Sequence, residues 1–337
     1  MRAFIVPSGC RGIDELRQVD REDPRPRPGQ VLVRIRAASL NSRDQAIVGG
    51  TYRGRAVTRD VIPLSDGAGE VIAVGDGVAT FSPGDRVVAA FSQTPPDGPP
   101  FAAPVPLGSP LDGMLAGQIA LYEDGLLPIP KDLSFEQAAC LPCAAVTAWN
   151  ALMIAGKPVK AGDTVLVLGT GGVSTFALQF AAAAGARVVA TSSSDDKLAR
   201  VKALGASDGV NYRKTPAWDK EVLRLTGGRG VDCVVEVGGV GTLERSFDSL
   251  AEGGKVALIG VLTGPRADIN PYGLMWKTGS LHGIRVGDRN AFAQMNRAIE
   301  ANRISPVIDR VFTFQDAVAA YHYQAAGNCV GKVVISI

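Results

Sequence analysis

The stretch Val165-Leu-Val-Leu-Gly-Thr-Gly-Gly-Val-Ser174 restricts the possible folds of this chain more than any other. Apolar, largely β-branched residues end abruptly in glycines, and an apolar segment with no helix breaker, Val173 to Ala184, follows. The pattern reads as strand, tight turn and helix. Gly169 and Gly171 take the first two positions of a G-x-G-x-x-G spacing and Ser174 the third, with Gly172 and Val173 between them. The first glycine permits the turn, and the second lets backbone approach a pyrophosphate. The third position needs a small side chain where helix packs on strand. The N-terminus of the helix then offers unpaired N–H groups and the positive end of its dipole to phosphates. Dinucleotide binding is the expectation.

The following residues continue the pattern. Arg187-Val-Val-Ala-Thr191 reads as a second strand, Asp195 to Leu204 as its helix, and Gly209-Val-Asn-Tyr212 as a third strand. Val231 to Val237 and Lys255 to Val261 read as two more strands, separated by a helix over Thr242 to Leu250. Strands alternating with helices at this spacing specify a doubly wound parallel sheet. Ligands bind such sheets at the carboxyl ends of the strands. Gly238, Gly260 and Val261 follow two of these strands and are expected along the path of the cofactor.

The end of the second strand bears on which cofactor. An NAD site usually carries Asp or Glu there, for the ribose 2′-OH. This chain has Ser192, Ser193 and Ser194, with Lys197 one helical turn on and Tyr212-Arg213 after the third strand. Hydroxyls and a cation suit a 2′-phosphate, so NADPH is expected over NADH. Ser194 also reads as a helix N-cap, and Asp195 and Asp196 are the residues that argue the other way.

Size and composition agree with two domains. A chain of 337 residues with 46% hydrophobic content can bury more than one core. No uninterrupted apolar run approaches the length of a membrane span, and Met1 to Val6 reads as a strand ending at Pro7-Ser-Gly9. A net charge of +2 gives no electrostatic case for nucleic acid. The five scattered cysteines form no disulfide framework and suit a reducing cytoplasm.

The first third is built differently. Gln30 to Ala37 alternates apolar and polar residues, and Gly67 to Val74 and Asp85 to Ala89 are further strands between glycine-rich turns. An antiparallel, turn-rich β domain is expected, curled or closed as a barrel. Residues 92 to 110 read as a long surface loop, and strand character returns over Met114 to Tyr122. The tail adds a helix over Phe314 to Ala326 and a strand over Lys332 to Ile337, expected to rejoin the first domain.

Together these features resemble the medium-chain dehydrogenase/reductase superfamily, in its zinc-free, quinone oxidoreductase-like branch. The segments carrying the resemblance are Ala38-Ser-Leu-Asn-Ser-Arg-Asp44, Ser65-Asp-Gly-Ala-Gly-Glu-Val71, Phe81-Ser-Pro-Gly-Asp-Arg-Val87 and Leu141-Pro-Cys-Ala-Ala-Val-Thr-Ala-Trp149. The glycine turn and Gly331-Lys-Val-Val334 complete them. The resemblance implies a Rossmann sheet inserted into a GroES-like catalytic domain, with an active-site cleft between them. The domains would span 1–124, 125–273 and 274–337. It also implies a homodimer built on an edge strand near Ser280 to Ile284. Thr147 matches a position beside the nicotinamide ribose, and Lys332 one near the pyrophosphate.

In zinc members of the superfamily the catalytic metal is held by a Cys, a His and a second Cys. Those positions fall here on Asn41, Ser65 and Cys143, so a three-ligand zinc site is not expected. Cys140 and Cys143 form a C-x-x-C without a second pair, and residues 91–120 contain no cysteine for a structural zinc lobe. Without a Lewis acid, hydride can still pass to an enone or quinone if a donor steadies the developing enolate. Asn41 and Tyr52 match the positions that line the active site in zinc-free relatives. The resemblance thus implies an NADPH-dependent reductase of a small-molecule quinone or α,β-unsaturated carbonyl. An alcohol dehydrogenase and a non-catalytic NADPH-binding protein are the alternatives.

Overall fold

The computed structural model describes residues 1–94 and 104–337, which form two compact units. The first joins Met1–Cys143 to Asp288–Ile337, and the second is Ala144–Gly287. The expected insertion is therefore present, with shifted boundaries. The first falls at 143 rather than 124 because Leu126–Pro128 pairs antiparallel with Val87 to Ala89 and so belongs to the first sheet. The second falls at 287 rather than 273 because Ser280–Gly283 adds parallel to Lys255 to Leu258.

The second unit is a six-stranded parallel sheet. In spatial order its strands are Asp208–Asn211, Arg187–Ser192, Thr164–Leu168, Val231–Glu236, Leu250–Leu258 and Ser280–Gly283. Numbered along the chain, that order is 3-2-1-4-5-6, the arrangement of a dinucleotide-binding sheet. The strand Thr164–Leu168 is buried at every residue, as a central parallel strand covered on both faces must be. The helix Gly172–Ala183 follows it after the three-residue turn Gly169-Thr-Gly171, as the glycine pattern predicts, and buries Phe176, Leu178 and Phe180.

The first unit is a seven-stranded, mainly antiparallel sheet centred on Gln30–Ser39. That strand pairs with Asp66–Val74, with Gln118–Tyr122 and with the C-terminal strand Lys332–Ser336. Its burial alternates along Val33 to Ala37, matching the alternation in sequence. The C-terminal strand runs parallel to Ile308–Thr313, and between them the helix Ala317–Ala325 packs Tyr321 fully into the core. Of the loop expected over 92–110, residues 95–103 lie outside the described residues. Ser92–Gln93 and Val105–Pro106 on either side pair as a short ribbon. The strand expected over Met114 to Tyr122 is shorter, Gln118–Tyr122, since Met114 to Ala116 are buried in irregular backbone.

The sequence has no uninterrupted apolar run of membrane-spanning length, yet Phe135–Ile154 forms a helical run of 20 residues that is long and apolar enough to cross a bilayer. Most of it, 67%, is buried within the protein, which accounts for its composition.

Candidate functional site

In the first unit, strand register assembles a polar cluster. Ser39, the last residue of the central strand, pairs on one side with Asp66 and on the other with Val334. The chain leaves that strand through Leu40 and enters the short helix Ser42–Val48 with Asn41 as its N-cap. Lys332, at the start of the C-terminal strand, is thereby placed against Asn41 although 291 residues separate them. Its ammonium donates to Leu40 O and to Asn41 Oδ1, each at 2.6 Å, and lies 3.9 Å from Asp66 Oδ2. Lys332 is 3% exposed and Asp66 fully buried.

This contact fixes the asparagine. An ammonium has donors and no acceptor, so the amide atom facing it is the oxygen. The amide nitrogen therefore points away, and Asn41 Nδ2, buried with its residue 8% exposed, has no hydrogen-bond partner among the described residues. An unpaired buried donor costs free energy, which makes Nδ2 a group awaiting an acceptor.

The surroundings hold Asn41 rigid. Its backbone N–H donates to Asp44 Oδ2 at 2.7 Å. Asp66 accepts from Ser65 Oγ at 2.7 Å and from the Cys143 N–H at 3.0 Å. Burial pushes the carboxyl of Asp44 up to about 6, against the opposing effect of Arg43 beside it. Burial, reinforced by Asp66, also raises the Cys143 thiol, and burial takes Cys140 to about 12. Both thiols are protonated at neutral pH, which suits small packing residues and not thiolate chemistry.

Arg43 carries the cluster outward. Its guanidinium is 3.8 Å from Asp44 Oδ1, donates to Leu107 O and Ser109 O, and lies 4.9 Å from the ring centroids of Tyr52 and Phe91. Tyr52, half-buried in the turn Tyr52–Gly54, has its hydroxyl 3.5 Å from Arg43 Nε and lines a pocket of roughly 270 Å³ with Ile47, Val57 and Val61. The two residues expected at the reaction site, Asn41 and Tyr52, are thus connected through Asp44 and Arg43.

The second unit carries the glycine turn. Gly169 has φ +73, a conformation that favours glycine. Gly171, the helix N-cap, has φ −76, which any residue adopts, and a Cβ there would meet no atom within 4 Å. Nothing in the unit itself demands glycine at Gly171, whereas a pyrophosphate approaching the backbone does. Gly172 and Val173 begin a 12-residue helix whose N-terminus receives no side-chain cap. Its first N–H groups are available to phosphate oxygens. Ser174 fits the third position because its hydroxyl donates to Leu168 O at 2.7 Å. These residues fit a dinucleotide.

The other expected cofactor residues lie in the same unit, Lys332 excepted. Ser192 ends its strand, 2% exposed, and accepts the Tyr212 N–H on its carbonyl. Ser193 and Ser194 are half-buried, and Ser194 sits at the N-cap of Asp195–Ala203 with its hydroxyl not used as a cap. Lys197 lies in the first turn of that helix, and Tyr212 is 41% exposed. Asp195, one of the two residues that argued for NAD, is engaged. It accepts from Asn211 Nδ2 at 2.7 Å and pairs with Lys214, and those contacts hold its carboxyl below the usual range. Gly238 and Gly260 are required by local packing: a Cβ would meet Thr242 Oγ1 at 2.3 Å and Val237 O at 2.5 Å. Val261 is 55% exposed, and Thr147 is buried in the helical turn Val146–Trp149.

Sequence reasoning missed Arg43, Asp44, Asp66 and Glu236 as site builders. Glu236, fully buried at the end of its strand, accepts from Gly238 N, Gly239 N and Thr242 Oγ1 through one oxygen and from Ser246 Oγ through the other. A lone acid ending an apolar strand was the available signal.

Two families match the chain: "Alcohol dehydrogenase GroES-like domain" over residues 27–131 and "Zinc-binding dehydrogenase" over 172–301. A zinc-type alcohol dehydrogenase-like protein of Schizosaccharomyces pombe is 44% identical, covering 99% of both chains. Human quinone oxidoreductase is 29% identical over 93% of this chain and 90% of its own. Among solved structures, an NAD-dependent alcohol dehydrogenase superposes with a TM-score of 0.92 at 34% identity, covering 100% of both chains.

Proposed function

Since the chain belongs to the medium-chain dehydrogenase/reductase superfamily, in its quinone oxidoreductase-like branch, we propose that this oxidoreductase uses NADPH to reduce quinones or α,β-unsaturated carbonyls without a metal. The observation that carries the reading is the buried, unpartnered Nδ2 of Asn41, turned outward by Lys332. An amide N–H held in that way suits an oxygen on which negative charge develops.

A nicotinamide, when bound, would supply the hydride for the β-carbon of such a substrate, so that negative charge develops on the carbonyl oxygen. Asn41 Nδ2 donates to that oxygen as its charge grows. The Lys332 ammonium, 2.6 Å behind the amide oxygen, polarises the amide and strengthens the donor. Tyr52 presents a hydroxyl for substrate binding and for returning a proton to the α-carbon. Gly171 and the helix starting at Gly172 would hold the pyrophosphate, and Ser192 to Ser194 with Lys197 and Tyr212 the 2′-phosphate. The engagement of Asp195 by Asn211 and Lys214 supports NADPH over NADH.

The working form in this reading is a cytoplasmic homodimer. Ser280–Gly283 is an edge strand of the second unit, and Leu281, Met275 and Trp276 nearby are exposed, as an interface with a second copy would require. The deciding assay follows NADPH oxidation with simple enones, quinones and ketones. Turnover of enones or quinones supports the proposal, and activity confined to alcohols and ketones overturns it.

A further inference from the structure

The pocket beside Tyr52 has an uneven charge. Its wall includes Arg53, Arg55 and Arg59 around an apolar floor of Ile47, Val57 and Val61, and no acidic residue among the described residues lines it. Arg59 is already committed: it donates to Asp112 Oδ1 at 3.1 Å and to Pro110 O and Asp60 O. Arg53 is different. It stands at φ +54 in the left-handed region, with its guanidinium 5.7 Å from the Tyr52 ring centroid. No carboxylate among the described residues pairs with Arg53 or Arg55.

Unpaired guanidinium groups over an apolar cavity match a ligand that has a hydrocarbon body and a terminal oxyanion. We propose that the pocket beside Tyr52 selects substrates carrying a carboxylate, with Arg53 and Arg55 as the groups that receive it. This rests on the reductase reading and names its substrate class: unsaturated carbonyl compounds that are also acids. Two planar forks can each take a carboxylate in the bidentate geometry that gives arginine its specificity. Both residues are solvent-exposed, so the contribution is screened by salt and modest.

The experiment compares 7-oxooct-5-enoic acid with its methyl ester, which share one enone, insulated from the carboxyl group by three methylenes, and differ in charge at neutral pH. The expected kcat/KM ratio, acid over ester, is roughly five- to tenfold at low ionic strength and declines with added salt. In Arg53→Gln/Arg55→Gln the ratio falls toward one. A phosphonate analogue of the acid serves as a further arm: a ratio above that of the carboxylate would redirect the pocket to phosphate esters and overturn the carboxylate assignment. Equal wild-type rates on acid and ester sink the anion pocket and leave the reductase reading intact. If no enone is reduced, the reductase reading has failed. The pocket is then judged by calorimetric binding of the saturated acid, 7-oxooctanoate. Binding lost in the double variant supports the pocket, and no binding by the wild type overturns it.

Discussion

Lys332 offers the sharpest test of the asparagine mechanism. Lys332→Met keeps the length and apolar stem of the side chain but removes the charge that meets Leu40 O, Asn41 Oδ1 and Asp66 Oδ2. Breaking a buried charge pair from one side costs about 3–5 kcal/mol. Asp66 keeps its bonds from Ser65 Oγ and Cys143 N, so about 2–4 kcal/mol is expected here, read as a lower denaturant midpoint. The catalytic effect has a separate origin. Without the ammonium the amide of Asn41 can turn over, presenting its oxygen where the nitrogen belongs. A loss of roughly ten- to hundredfold in kcat is expected, with NADPH affinity unchanged. Asn41→Asp is the companion variant, because it keeps an acceptor for Lys332 and the same shape while deleting the N–H donor. It should be properly folded and lose on the order of a hundredfold or more in kcat. In an Asn41→Ala background, Lys332→Met should cost little further rate, since the group it orients is gone. The assay is steady-state reduction of an enone, with NADPH dissociation followed by fluorescence. An Asn41→Asp enzyme within about twofold of wild-type kcat would refute the donor role and the positioning role together.

Four other outcomes are expected. Elemental analysis of active protein should find no stoichiometric zinc, and activity should survive chelation; one zinc per chain with loss on chelation would overturn the reading of Asn41, Ser65 and Cys143. Lys197→Ala should weaken NADPH about tenfold or more while leaving NADH nearly unaffected, because only the former has a 2′-phosphate. Equal effects on both cofactors would show that the serine cluster has another role. Tyr52→Phe, which keeps the ring beside Arg43, should lower enone turnover by up to about a hundredfold with NADPH affinity intact, and unchanged turnover would remove the hydroxyl from the mechanism. Asp44 is raised to about 6, so the folded state holds its proton where the unfolded chain has released it. Its contribution to stability is therefore largest below about pH 4 and is lost as pH rises from there to about 6, by on the order of 2–3 kcal/mol. Urea unfolding of Asp44→Asn beside wild type should show the difference changing over that interval and level above it; a difference flat across the interval would contradict the assignment.

The fold was legible where sequence period and chemistry coincide locally. Val165 to Ser174 specifies its strand, turn and helix through residues adjacent in the chain, and Gly169 and Ser174 act in the structure as that pattern requires. The helix Arg289–Asn302 was missed although its signals are present: Asp288 caps it by accepting the Ala291 N–H, and Phe292, Met295 and Ile299 bury one face. Its polar majority hid a three-residue apolar stripe. The polar cluster was harder for a different reason. Asn41 was identified, but its partner lies on a strand 291 residues away, and only the register of three paired strands brings them together. The resemblance puts Lys332 near the pyrophosphate; within the first unit its ammonium donates to Leu40 O and Asn41 Oδ1. Arg43 and Asp44 sit beside Asn41 in sequence, yet nothing in composition distinguishes a buried arginine from a solvated one.

The cluster also bears on the proposal that this site works without a metal. The three positions that hold zinc in other branches are chemically occupied here. Asn41 Oδ1 faces the Lys332 ammonium, Ser65 Oγ donates to Asp66, and burial keeps the Cys143 thiol protonated. Each would have to surrender its present role to bind a cation. A dication would also enter a region that already contains Lys332 and Arg43 balanced against Asp44 and Asp66. Adding two positive charges beside a buried ammonium is strongly unfavourable at low dielectric. In the proposed mechanism, one positive charge placed behind an amide would take the place of the metal's charge placed directly on the substrate oxygen. Such a donor is weaker than a Lewis acid, and this restricts the chemistry. Hydride addition to a conjugated system spreads the developing charge over the enolate or quinol, and a single oriented N–H suffices to steady it. A simple ketone concentrates the charge on one oxygen and gains less. In the proposed reading, a preference for conjugated acceptors would thus follow from Lys332 acting through Asn41 in place of a metal ion.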